Sequence, residues 1–281
     1  MTQVAASTRV LDDRDLPAVR ALLARDPVGN VFVASRIDAA GLDRHRLGAQ
    51  LWGFAVDGRL AAVCHAGANL VPVGADADAA GAFADRARRS GRACSSLVGP
   101  AEPVLRMWEL LRPGWGPARD VRPEQPLLAI SGPPRVPPDP AVRRVRPAEL
   151  DLLLPACIAM YAEEVGVSPL RGDGGAAYRA RVAELVATGR AFARIEGGRV
   201  LFKAEIGAVT RDACQIQGVW VEPRLRGGGF GTVGTAGVVA EALRSLAPTV
   251  SLYVNGYNRA ARRAYEKVGF TRVGTFASVL F

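Results

Sequence analysis

Two stretches of the chain fold apolar, β-prone residues back on themselves across a tight turn. Leu51–Val56 and Arg59–His65 flank Asp57-Gly58, and Asp-Gly between two such runs predicts a hairpin with a type I′ turn. Ala191–Ile195 and Arg199–Val209 flank Glu196-Gly197-Gly198 and predict a second hairpin. Helical spacing surrounds both. Ahead of the first, Thr8–Leu11 reads as a short strand. Asp12-Asp13-Arg14-Asp15 then caps a helix to about Ala24, with Leu16, Val19, Leu22 and Leu23 on its apolar side. Val31–Ala40 predicts a further helix and Gly41–Gly48 a loop. After the first hairpin, Asp76–Ser90 and Pro103–Leu111 read as helices, Cys94–Val98 as a strand and Val121–Ile130 as extended segments. Around the second hairpin the order repeats. Arg144–Arg146 reads as a strand, Pro147–Glu164 as a helix that Pro155 could split, and Ala176–Thr188 as a helix. Cys214–Val221 and Ser251–Asn255 read as strands, Val233–Ala247 and Arg259–Val268 as helices, and Thr271–Phe281 as one or two final strands.

Between the two series, Gly132–Pro140 holds prolines at 133, 134, 137, 138 and 140. Such a stretch cannot form a helix or a central strand and reads as a stiff linker. The expected division is therefore 1–131, a linker at 132–140, and 141–281.

Composition narrows the chemistry. At 281 residues with 49% hydrophobic content, the chain can bury two sizeable cores. No apolar run approaches the roughly 20 residues that cross a bilayer. Residues Met1–Val10 lack a basic patch followed by an apolar core, so no secretory leader and a cytoplasmic location are expected. Cys64, Cys94, Cys157 and Cys214 are scattered without a Cys-x-x-Cys pair, which argues against a disulfide framework or zinc site. With only His45 and His65, histidine-based metal or triad chemistry is not expected, and no metal is. The net charge of +9 divides as +2 over residues 1–140 and +7 over 141–281. An anionic ligand would suit the second half. Nucleic acid is not expected, because the arginines are interspersed with acids and lack interleaved aromatics.

The second half also carries a glycine loop between a strand and a helix. Val219-Trp220-Val221-Glu222-Pro223 leads into Arg224-Leu225-Arg226-Gly227-Gly228-Gly229-Phe230-Gly231-Thr232. Backbone N–H groups at such a loop, with a helix N-terminus behind them, form a phosphate or pyrophosphate site. The Lys-Ser/Thr of a P-loop is missing, and G-x-G-x-x-G is not matched cleanly. What fits is Arg-x-x-Gly-x-Gly at Arg226, Gly229 and Gly231. Downstream, Asn258, Ala261, Tyr265, Lys267, Gly269 and Phe270 complete Asn-x-x-Ala-x-x-x-Tyr-x-Lys-x-Gly-Phe. Asn258 suits a helix N-cap, Gly269 a helix end, and Tyr265 returns to the helix face of Asn258.

In these two motifs the chain resembles the GNAT superfamily of acyl-CoA-dependent N-acyltransferases. The resemblance implies an α+β (mixed α/β) fold of two GNAT-like domains, each a mostly antiparallel mixed sheet flanked by helices. The first would be degenerate and the second catalytic. It implies acetyl transfer from acetyl-CoA to a primary amine of a small molecule or peptide by direct attack on the thioester. Val219, Trp220 and Val221 would hold pantetheine, and their N–H groups would polarise the thioester carbonyl. Arg226, Gly227, Gly228, Gly229, Phe230, Gly231 and Thr232 would cradle the pyrophosphate. Asn258 would contact the cofactor, and Tyr265 would protonate the leaving thiolate.

The base does not follow from the motifs. A family glutamate position early in the fourth strand aligns with Gln215, and another on the fifth strand with Tyr253. Glu205, inside an apolar strand, is a candidate base, balanced against a solvated or arginine-paired strand residue. Glu163 and Glu164 at the end of a helix are alternatives, as is a water relay. Two readings of other classes stay open: a non-catalytic acyl-CoA-binding regulator, and a basic tRNA- or nucleic-acid-associated module. The acceptor, the preferred acyl chain and the oligomeric state, including a homo-oligomer, are left open. In the first half the corresponding stretch, Leu70–Asp78, has one glycine, no arginine and two aspartates. A single cofactor per chain is expected.

Overall fold

A computed structural model describes residues 6–171 and 173–281. In chain order the elements are β1 (Ala6–Val10), α1 (Leu16–Leu23), α2 (Val31–Ala40), α3 (Arg44–Leu47), β2 (Gln50–Val56), β3 (Arg59–Ala66), β4 (Asn69–Val73), α4 (Ala77–Ser90), β5 (Ser96–Pro100), α5 (Ala101–Trp115) and β6 (Asp120–Ile130). They continue with β7 (Arg143–Arg144), α6 (Leu150–Val165), α7 (Ala176–Ala187), β8 (Ala191–Glu196), β9 (Arg199–Val209), β10 (Cys214–Val221), α8 (Phe230–Ser245), β11 (Val250–Tyr253), α9 (Arg259–Val268) and β12 (Thr271–Leu280). Both hairpins form. Asp57 and Gly58 take φ of 48° and 77°, and Gly197 and Gly198 take 54° and 72°, the paired positive values of a type I′ turn.

Two alternatives left open by the sequence resolve locally, and one expectation changes. Helix α6 runs unbroken through Pro155, because Leu153, Ala156, Cys157 and Met160 are buried along one side and hold the turn together. The loop expected at 41–48 contains α3, whose first amides at His45 and Arg46 are capped by the Asp43 carboxylate. The tail is a single strand, β12.

The chain does not divide at one point. The first compact unit takes residues up to 127 together with 253–257 and 272–281, and the second takes 128–252 and 258–271. Strand pairing is the reason. β12 runs antiparallel to β5, from Phe276 opposite Pro100 to Leu280 opposite Ser96. Val254 and Gly256 donate to the carbonyls of Pro126 and Glu124. The stretch 132–140 is itself held by hydrogen bonds. Arg135 N–H donates to Val268 O at 2.8 Å and Asp139 N–H to Val233 O at 3.0 Å, which docks the stretch on the second unit.

In the first unit, β1, β2, β3, β4 and β5 lie side by side with β12 next to β5, antiparallel except for β4 with β5. Alternate residues face opposite ways. Trp52, Phe54 and Cys64 meet Phe83, Val104, Met107 and Leu111 of α4 and α5. Leu51, Val63, Val71 and Val73 meet Val19, Leu22, Val33 and Ile37 of α1 and α2.

The second unit repeats this pattern with β7, β8, β9, β10 and β11, antiparallel except for β10 with β11. Helices α6 and α7 cover Ala191, Ala193 and Trp220. Helix α8 lies against Phe202, whose ring comes within 2.7 Å of where a Cβ on Gly234 would stand. A glycine inside a helix costs about 1 kcal/mol, and here it admits a core aromatic ring.

Candidate active site

Strand β10 carries the site, and it is irregular on both edges. Against β9, Gln217 faces Glu205 and the next pair is Trp220 with Lys203. Two residues of β10, Gly218 and Val219, therefore oppose the single Ala204. This is a β-bulge, which bends the strand and leaves one residue outside the ladder. Gly218 sits at φ 58°, a left-handed value that glycine tolerates. On its other edge β10 pairs with β11 only at Cys214–Val250 and Gln215–Ser251. Beyond Gln215 the parallel ladder stops, so Ile216–Val221 lie outside it.

The glycine loop follows directly. A 3₁₀ turn at Pro223–Leu225 is succeeded by Gly227 at φ 80° and Gly229 at φ 87°, and α8 begins at Phe230. The first amides of a helix have no intrahelical acceptor, and its dipole makes that end positive. A Cβ at Gly227 or Gly229 would meet nothing within 4 Å, so the loop faces open space. At Gly231 the nearest neighbour would be Val221 Cγ2 at 3.5 Å. The Phe230 ring is braced by the Arg194 guanidinium, 5.1 Å from its centroid. Thr232, half-buried in the first turn of α8, donates its N–H to Gly229 O.

Arg226, the first residue of the loop motif, turns away from the loop. Its Nε donates to Val221 O at 3.0 Å, and Nη2 donates to both carboxylate oxygens of Glu163 at 3.1 and 2.8 Å. Trp220 Nε1 donates to the same carboxylate at 3.3 Å. Glu163 is thus fastened to the loop and to β10, which weakens its candidacy as a base.

Asn258 caps α9, its Oδ1 accepting from Ala261 N–H at 3.1 Å. Seven residues on, Tyr265 is buried with its ring 5.9 Å from Phe270. Burial pushes its phenol well above the ordinary tyrosine value, and the charge of Glu164 adds to this. The phenol stays protonated at neutral pH, the form a general acid needs.

Glu205, the candidate base, is buried and heavily engaged. Its Oε1 takes the Lys203 ammonium and the Cys157 thiol at 3.6 Å, and its Oε2 lies 3.4 Å from Gln217 Nε2. The solvated or arginine-paired alternative is also not what is found, because the partner is a fully buried lysine.

A family model described as FR47-like protein matches residues 201–278, and one described as a domain of unknown function (DUF4081) matches 49–153. Among solved structures, a GCN5-related N-acetyltransferase from Sphaerobacter thermophilus is 19% identical. The match covers 98% of this chain and 94% of that one, with a TM-score of 0.59. An acetyltransferase of the GNAT family from Colwellia psychrerythraea is 13% identical over 98% and 99% (TM-score 0.57). A tandem GNAT protein from the clavulanic acid biosynthesis pathway is 15% identical over 98% of both chains (TM-score 0.55). The chain has the GNAT fold. Comparison with curated proteins gives no match.

Both units of the chain are mixed sheets flanked by helices, and the residues expected at the site (Val219 to Thr232, Asn258, Tyr265 and Glu205) all lie in the second. What sequence reasoning missed is Lys203. It is one of only two lysines in a chain whose other basic residues are arginine, and it stands two positions from Glu205 in an apolar strand. That spacing places both on one strand face and was the available signal. The four cysteines are free and buried, with burial pushing the Cys157 thiol up to about 11 and the Cys214 thiol to about 12. No described helix is long and apolar enough to cross a membrane.

Proposed function

We propose that the second unit is an acetyl-CoA-dependent N-acetyltransferase acting on a primary amine of a small molecule or peptide. The observation that carries this reading is the form of β10. Its ladder with β9 is broken by the bulge at Gly218–Val219 and its ladder with β11 ends at Gln215, directly upstream of an open glycine loop. A narrow chain can lie along Val219–Val221 and accept from that backbone, while a pyrophosphate lies on residues 227–232 at the start of α8. The Asn258 amide NH₂ offers a further donor from α9. Arg226 contributes by tying the loop to α6 rather than by touching phosphate.

In the transfer, the amine nitrogen bonds to the thioester carbonyl carbon as the carbon–sulfur bond breaks. Tyr265 gives its phenolic proton to the departing sulfur. The N–H of the bulge stabilises charge on the carbonyl oxygen, an effect worth roughly 3 kcal/mol where single donors of this kind have been removed. We assign the proton lost by the amine to Glu164 rather than Glu205. Glu164 is exposed at the end of α6, where it can pass a proton on to solvent, and its charge bears on Tyr265; Glu205 is buried beside Lys203, Cys157 and Gln217.

The engagement of Glu205 also favours a second reading, acyl-CoA binding without transfer. One experiment separates the two. Calorimetry with acetyl-CoA should show binding, and a thiol-release assay across a panel of amines should show turnover with at least one class. Binding with no thiol release from any amine would establish the regulator; no binding would sink both.

A further inference from the structure

Directly behind the bulge lies a sealed ion pair that the transfer reaction as set out above does not use. Lys203 is fully buried, Glu205 is 5% exposed, and their charged groups are in contact. Both point from the same face of β9 towards α6, where Cys157 Sγ donates to Glu205 and the thiol of Cys157 is itself held protonated by burial. The pair brackets the bulge in register. Glu205 faces Gln217, the last residue before it, and Lys203 faces Trp220, the first after it. Gly218 leans on the pair: a Cβ there would stand 3.1 Å from Lys203 Nζ, 3.4 Å from Glu205 Cδ and 3.0 Å from Met160 Cε. A second glycine makes room for the same cluster, since a Cβ at Gly207 would lie 2.1 Å from Gln217 Oε1.

Stability alone gives no reason for such an arrangement. Taking two charges out of water costs several kcal/mol per ion, and well-packed apolar residues of similar volume usually serve a core as well or better. The charges stand instead behind the two residues whose backbone departs from the β ladder. We propose that Lys203, paired with Glu205, is a positioning residue of the transfer site: the ion pair seats the bulge at Gly218–Val219 so that its N–H meets the thioester oxygen. This rests on the reading of the second unit as an acyltransferase. It also gives Glu205 a role other than base. The pair acts through backbone placement, and a displacement of about 1 Å at a reacting centre costs on the order of 10²-fold in rate.

The test replaces both charges together, so that neither is left buried alone. Lys203→Met/Glu205→Leu keeps the volume. In the full chain four quantities are read: melting temperature, acetyl-CoA affinity by calorimetry, kcat for thiol release, and the infrared carbonyl stretch of bound acetyl-CoA carrying ¹³C at the carbonyl. The expected result is an unchanged or higher melting temperature, affinity within about twofold and kcat lower by about 10- to 100-fold. The carbonyl stretch should move back towards that of free acetyl-CoA. Where the apolar pair fails to fold, Lys203→Gln/Glu205→Gln, which can keep a hydrogen bond between the two positions, carries the same expectation. A folded double variant with wild-type kcat and stretch would overturn the proposal. So would one that loses affinity, rate and melting temperature together, the mark of a purely structural pair. Wild-type protein that binds no acetyl-CoA would sink the transfer reading and this proposal with it, whereas wild-type turnover with an indifferent variant would sink the proposal alone.

Discussion

At the scale of single residues, the site separates positions that bind from positions that react. Gly231 is the cleaner probe of the loop. Gly227 and Gly229 sit at positive φ, so any substitution there strains the backbone whatever it does to a ligand. A Cβ at Gly231 meets only Val221 Cγ2, at an ordinary 3.5 Å. Gly231→Val should therefore fold and place a branched side chain where the pyrophosphate approaches the first turn of α8. Acetyl-CoA affinity by calorimetry should fall by at least tenfold with little change in melting temperature; equal affinity in the folded variant would mean that the loop does not hold phosphate. Tyr265 belongs to the other class. Tyr265→Phe removes the hydroxyl and leaves the ring on Phe270, so affinity should hold while thiol release slows by about 10²-fold. A Tyr265→Phe protein with the wild-type kcat would reduce the tyrosine to packing. Glu205→Gln alone is a poor test of a base, because it leaves Lys203 buried without its counter-ion, which costs about 3–5 kcal/mol by itself.

At the scale of elements, the sequence was most legible where a structure is decided within a few residues. The Asp57-Gly58 and Gly197-Gly198 turns, the Asn258 cap and the Gly269 stop all formed as read, since each is a local backbone preference. The early end of the β10–β11 ladder was not legible, because register between strands depends on residues far apart in the chain. The start of α6 shows the same limit on a smaller scale. Glu149 accepts two hydrogen bonds from Arg143 at 2.7 and 2.8 Å and two from Arg146, one from its backbone at 2.9 Å and one from its side chain at 2.7 Å. Nothing in the spacing of Arg143 and Glu149 announces this. Those contacts, Arg143 first and Arg146 next, hold the Glu149 carboxyl well below the usual carboxylate range. The folded value lies below the unfolded one, so the stabilisation is complete above the unfolded value near 4.3 and is lost as pH falls below it. Glu149→Gln should lower the melting temperature at pH 7, by an amount matching roughly 1–3 kcal/mol. It should also make the melting temperature less steep with pH below about 4. Parallel acid profiles for the two proteins would show that the cluster adds nothing to acid stability.

At the scale of the whole molecule, the same order of elements was readable twice along the chain, but the exchange of β12 into the first unit was not. A strand's partner cannot be told from its own alternation. The two units differ in what they can hold, and the difference lies at the same places in each. In the first, β3 and β4 pair without a bulge through Val63–Val73, Cys64–Pro72, His65–Val71 and Ala66–Leu70, so no backbone donor is set aside for a carbonyl. The β4–β5 ladder is short, as the β10–β11 ladder is, with pairs only at Asn69–Ser96 and Leu70–Leu97. Here the strands stay close. Pro72 brings no N–H to the ladder, and its carbonyl oxygen lies 3.5 Å from where a Cβ on Gly99 would stand. The turn into α4 has one left-handed glycine, Gly74, with Ala61 O 3.3 Å from where its Cβ would stand. The N-terminus of α4 is already occupied by its own carboxylate, since Asp76 Oδ1 accepts from Ala79 N–H at 2.9 Å, and Asp78 stands in the same first turn. A phosphate arriving there would meet negative charge where the second unit offers open backbone donors. Helix α5 follows β5 with no loop between them and carries Trp108 as its eighth residue, near the place Tyr265 takes as the seventh residue of α9. Calorimetric titration of the full chain should therefore saturate at one acetyl-CoA. Gly231→Val should remove that binding and uncover no second site. A stoichiometry of two, or binding that survives Gly231→Val and is lost on changing residues of 70–78, would place a working site in the first unit and overturn this division of labour.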